Sequence, residues 1–132
     1  MGVAILPAWV TVPTEDVRDC HYFAARIADR SRFARACAAT FEWVVGDGDH
    51  DLVTPVTCRW LYPTENAARA EMMLAAAVAT GQPDLGDGLW ADLGVAPAAP
   101  EPVRSDDTWV SGVAVTLGWL LGVHSRPPLR YT

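Results

Sequence analysis

Thr40-Phe41-Glu42-Trp43-Val44-Val45-Gly46 is echoed near the other end of the chain by Thr116-Leu117-Gly118-Trp119-Leu120-Leu121-Gly122. Upstream of each copy lies Pro-Thr-Glu, at Pro13-Thr14-Glu15 and at Pro63-Thr64-Glu65. Each Pro-Thr-Glu follows a β-branched, aromatic run that holds a tryptophan, Trp9 or Trp60. A repeated order of strand, helix and then a helix ending Thr-x-x-Trp-x-x-Gly reads as one supersecondary unit used twice. The expected fold is therefore α+β and helix-rich, a tandem duplication of a strand-helix-helix unit within a single domain of residues 1–132. Unit one spans 3–58 and unit two 59–132. Strands at Val3 to Val12 and Val53 to Tyr62 would form a small sheet on four helices, with a short third strand near Pro128 to Thr132. The alternative is an all-α four-helix arrangement in which those runs are extended linkers.

The composition supports a folded chain. With 132 residues, 51% hydrophobic and 20% charged, it has enough apolar side chain for one core and too little charge for a disordered segment. Six tryptophans are many for this length and suggest large anchors in a core or an interface. All ten basic residues are arginine, which with the abundant alanine reads as the codon bias of a GC-rich genome.

The longest apolar stretch, Trp109 to Val123, falls short of the roughly 20 residues that a membrane span needs. No membrane association is expected. No base precedes Arg18, so the start lacks the charged region of a secretory signal. Cys20, Cys37 and Cys58 are odd in number and form no C-x-x-C clamp. That argues against a zinc site or a disulfide framework and for reduced thiols in a cytoplasmic protein.

Four helices follow from periodicity and caps. Thr14 is placed to cap the first, with Glu15 and Asp16 at the positive end of its dipole. Its buried stripe is Val17, Cys20, Ala24, Ile27 and Ala28. Phe33, Ala36, Cys37, Thr40, Phe41 and Val44 define the second, and Gly46 stops it. Thr64 caps the third, where Glu65 and Arg69 are spaced for an ion pair and Met73, Ala77 and Val78 form the apolar side. The fourth runs from about Asp107 to Leu121, with Trp109, Val113, Thr116, Leu117 and Leu120 on one stripe. Gly112 and Gly118 inside it each cost about 1 kcal/mol relative to alanine. Either another backbone approaches closely there or a buried helix tolerates them.

The two copies are unequal. The excess in the second falls at 81–106, a Pro/Gly-rich stretch between the third and fourth helices. From Gly81 to Asp107 there are six acids (Asp84, Asp87, Asp92, Glu101, Asp106, Asp107) against Arg104 alone, which accounts for −5 of the chain's −6. Within it, Leu89, Trp90 and Leu93 are spaced for a single helical turn, and Pro97 to Pro102 should be extended. A structureless loop of this length is uncommon unless it is functional or disordered.

Few residues assemble into recognisable chemistry. Asp47-Gly48-Asp49-His50-Asp51 opens like a calcium loop, but Leu52 stands where the turn glycine belongs and Cys58 where the bidentate glutamate belongs. Asp49, His50 and His124 are the weak candidates for a transition metal, because the two histidines lie just past equivalent helix ends. Gly86-Asp87-Gly88-Leu89-Trp90-Ala91 matches a dinucleotide string without the strand before it or the long helix after it. Cys20 and His21 are adjacent on a helix, where side chains diverge. His21 reads as a surface or boundary residue, and Asp106 and Asp107 as helix-start charges. Arg26, Arg30, Arg32 and Arg35 cluster at the first helix–helix junction, but the acidic chain has no basic stripe of the size nucleic acid needs.

The expectation for function is a non-enzymatic, protein-binding accessory or regulatory factor with no catalytic residues and no cofactor. It would contact a partner with a basic surface through Asp84, Asp87, Leu89, Trp90, Asp92 and Leu93. The alternative is a small-molecule enzyme or ligand-binding protein with a pocket between the two units, lined by Trp43 and Trp119. A homodimer is a further option, through apolar faces that short units leave exposed. The closing Trp-Leu-Leu-Gly with Arg126-Pro127-Pro128-Leu129 resembles the tails of small proteins from GC-rich mobile elements, and the factor is expected to be encoded by a mobile element or phage. That resemblance covers about the last 20 residues and implies no activity.

Overall fold

The computed structural model describes residues 6–45, 64–80 and 107–130. All regular structure among them is helical: α1 (Thr14–Ile27), α2 (Arg32–Val44), α3 (Glu65–Ala79) and α4 (Asp107–Leu120). The α+β expectation is overturned, and the all-α four-helix alternative holds in its place.

The expected first strand fails for a physical reason. Where residues 6–12 are described, Val10 N–H donates to the Pro7 carbonyl in a turn at 3.1 Å, and Thr11 N–H donates to Leu120 at the end of α4 at 2.8 Å. These donors serve a turn and a helix end, so no ladder forms. Leu6, Trp9, Val10 and Val12 instead pack half-buried against the helical core. This segment is a strap, β-rich in composition because it lies flat on an apolar surface. Residues 128–130 are likewise not a strand, and Leu129 packs on the core. The run Val53 to Tyr62 lies outside the described residues.

α2 and α4 are the centre. Between Ala34 and Val44, only Arg35 and Glu42 escape full burial. α4 buries Trp109, Val110, Gly112, Val113 and Thr116 to Leu120. α1 packs on α2, α3 packs on α4, and α2 packs on α4. The α2–α4 crossing passes through Gly112, where an added Cβ would come within 2.7 Å of Ala36 Cβ and 3.0 Å of the Phe33 carbonyl oxygen. The missing side chain is what lets the two helices approach. Ala36 and Gly112 each stand four residues before the threonine of their Thr-x-x-Trp, so the crossing falls at matched positions of the two motifs.

Helix ends follow local chemistry. Ser31 accepts from Ala34 N–H and Thr64 from Ala67 N–H, each at 3.1 Å, as N-caps should. The cap expected from Thr14 does not form. Pro13 is the N-cap of α1, without a side-chain hydrogen bond. α4 closes in a Schellman arrangement: Val123 N–H reaches Gly118 at 2.8 Å and Gly122 N–H reaches Trp119 at 3.1 Å, with Gly122 left-handed at φ 83°.

The face of α3 also differs from expectation. Ala67, Ala68, Ala70, Glu71, Leu74 and Ala75 are buried, whereas Met73, Ala77 and Val78 are only half-buried. The glutamate in the middle of the buried stripe masked its apolar periodicity. Glu65 and Arg69 do pair, at 3.0 Å. Among the described residues, no helix is long and apolar enough to cross a membrane.

Candidate functional site

Among the described residues, three shallow spaces open on the surface, one of them, about 490 Å³, against Val115, Val123 and Arg126, and the other two near the two ends of α4. The first of these two lies at the C-terminal end. Thr11, Val12 and Pro13 of the strap and Asp16 in the first turn of α1 form one wall, with Trp119 and Gly122 of the α4 end beside them. His124, Ser125 and Pro127 form the opposite wall of this space of about 430 Å³. The chain is turned back here by the Schellman arrangement, and a Cβ on Gly118 would fall into the His124 ring. Gly118 thus admits a histidine rather than another backbone. Thr11 locks the strap by donating its hydroxyl to the Leu120 carbonyl at 3.2 Å.

The second groove, of about 370 Å³, opens where α1 ends, α2 begins and α4 begins. Its walls are Arg32, Arg35, Glu42 and Trp109, over alanines from α1 and α2. Arg35 Nε donates to the Ala28 carbonyl at 3.3 Å, tying down the end of α1. The Arg32 guanidinium lies over the Trp109 ring, 5.6 Å from its centroid, a cation–π placement that holds the charge at the rim. Arg26 lies similarly over Tyr22, at 5.8 Å.

Of the residues expected to line one pocket, Trp43 and Trp119 are both buried, at 3% and 6% exposure. Trp119 meets Phe41 edge-on at 6.3 Å and borders the first groove together with His124. Trp43 lines neither groove, so the two indoles do not share either space. Its Nε1 is buried without a hydrogen-bond partner. Asp49, His50, Asp84, Asp87, Leu89, Trp90, Asp92 and Leu93 lie outside the described residues. Among the described residues, no group of three metal-ligating side chains forms. His21 is half-buried and stacks on Phe41 at 5.4 Å, a boundary position as expected.

Cys20 and Cys37 are buried, free thiols on facing helices. Burial pushes Cys20 up to about 12, against a small opposing effect from the Leu129 backbone. Burial likewise pushes Cys37 up to about 11. Thr116 Oγ1 sits near enough to the Cys37 sulfur to lower this a little, yet it forms no properly directed hydrogen bond. Thiols held protonated in this way are poor nucleophiles.

Sequence reasoning found the arginine cluster but missed the second groove, since nothing local connects Arg32 with Trp109. The placement of half-buried Asp16 beside the strap and the C-terminal turn carried no sequence signal either. No protein-family model, curated protein or solved structure matches the chain.

Proposed function

We propose that the protein is a non-enzymatic binding factor, a helical scaffold that offers the acidic insertion 81–106 to a protein partner with a basic surface. One observation carries this reading. α3 and α4 pack on each other, and two packed helices are ordinarily joined by about 2–8 residues. The chain places Thr80 to Asp106 between them, a stretch that holds five acids and Trp90 against one arginine. Connecting the helices does not require this length or this charge. Acidic residues around an aromatic anchor suit a basic surface, where the charges steer the encounter and the indole supplies buried area.

Capture of host proteins on the immobilised full chain tests it, comparing wild type with Trp90→Ala and with an Asp84→Asn, Asp87→Asn, Asp92→Asn triple variant. The expected result is a basic protein retained at low salt, lost at high salt and lost from both variants. Retention unchanged in both variants would remove the insertion from the interface.

A second reading, a small-molecule site, is favoured by the space that Trp119, Asp16 and His124 surround. Thermal-shift screening of small ligands on wild type and His124→Ala addresses it. A ligand whose stabilisation vanishes in the variant would support it, and the absence of any stabilising ligand would remove it.

A further inference from the structure

We infer that the arginine groove between α1, α2 and α4 is a second binding site, and that its occupant is the acidic insertion of a second copy of this chain. The inference shares with the proposed function the view of the insertion as a contact arm, and adds a receptor for it.

Charge is segregated in this molecule. The stretch from Gly81 to Asp107 carries −5. Arg26, Arg30, Arg32 and Arg35 gather at the α1–α2 junction, tempered by Asp29 beside them and by Glu42 in the groove. Two of the arginines are held in place rather than waving in solvent, Arg35 by the Ala28 carbonyl and Arg32 by the Trp109 ring. Fixed guanidinium groups lose less entropy on binding carboxylates than free ones do, and they read carboxylate geometry well. The alanines beneath leave the groove open to a peptide-sized occupant of about 370 Å³.

Position makes the pairing reciprocal. The insertion rejoins the scaffold at Asp107, two residues before Trp109, which walls the groove. Root of arm and groove therefore adjoin. A twofold axis beside that point lets each copy lay its insertion into the other's groove, an isologous interface with both contacts closed.

Sedimentation equilibrium of the full chain over a concentration series, at low and at high salt, tests this. The expected state is a dimer at low salt that dissociates at high salt, because exposed charge pairs are screened. Arg32→Glu with Arg35→Glu should weaken it on the order of tenfold or more. Arg35→Glu alone, which keeps Arg32 on Trp109, should act in the same direction. The decisive step mixes two variants that each repel themselves: the groove-reversed chain, and one with Asp84→Lys, Asp87→Lys and Asp92→Lys. Neither should dimerise alone, and together they should. A monomer under all conditions, a dimer indifferent to the arginine changes, or a mixture that stays monomeric would each overturn the inference. No host partner enters this assay, so its failure is distinct from a failed partner capture.

Discussion

The two halves of the bundle put the same motif to different uses. In α1 and α2, Thr40 donates its hydroxyl to the Ala36 carbonyl at 2.7 Å, and the helices are joined by the short turn at 28–31. In α3 and α4, Thr116 has no such bond, Gly112 replaces the alanine at the crossing, and the connection is the long acidic insertion. The first half is tied by local hydrogen bonds. The second half yields space at the crossing, and its connection is 27 residues long, from Thr80 to Asp106. The same sequence motif thus sits in two different packing environments, and the residues at the crossing, Ala36 and Gly112, differ between its two occurrences.

The crossing pair gives the largest effect. Gly112→Ala should lose about 1–3 kcal/mol of unfolding free energy, because its Cβ has nowhere to go. Adding Ala36→Gly should recover part of that loss, and the coupling in a denaturant-melt double-mutant cycle should be about 1 kcal/mol or more. Strict additivity would show that the helices do not meet there.

Next is alkaline pH. Cys20 and Cys37 both belong to the first half; the matched positions of the second half are Ala70, seven residues after Pro63 as Cys20 is after Pro13, and Val113, three residues before Thr116 as Cys37 is before Thr40. Their folded pKa values, about 12 and about 11, lie above the ordinary 9.0. The unfolded chain therefore releases these protons first. Stability from the two thiols is full below about pH 9 and is lost as pH rises toward 11–12. Hydrogen exchange should show α1 and α2 loosening before α3 across that range, and a Cys20→Ala, Cys37→Ala variant should lose the asymmetry.

The threonines should respond with opposite signs. Thr40→Val removes a made hydrogen bond and should destabilise by about 1 kcal/mol. Thr116→Val removes a buried hydroxyl without a partner and should be neutral or stabilising by up to about 1 kcal/mol. The helix starts give the smallest difference: Thr64→Ala should cost about 1 kcal/mol as a lost cap, and Thr14→Ala only a few tenths. Thermal melts of the four variants check both pairs.

Much of the helical framework was legible because it is written in local signals. Ser31 and Thr64 cap helices, Glu65 and Arg69 pair, and α4 shows its stripe plainly. What failed was decided at a distance. The strap looked like a strand because both need flat, apolar, β-branched residues, and only the α4 end shows where its N–H groups go. Buried Glu71 turned the reading of α3 toward the wrong face. The role of Gly112 depends on Ala36, far away in sequence. The grooves share that problem: Arg32 with Trp109, and Asp16 with Trp119, are neighbours only after folding.

The separation of scaffold from arm is tested most directly by replacing Gly81 to Asp106 with a short glycine-serine linker and measuring helical circular dichroism through a thermal melt alongside partner capture. A scaffold whose central pair is α2 and α4 should keep its helical signal and cooperative melt while capture is lost. A chain that no longer folds, or one that folds and still captures the partner, would contradict it.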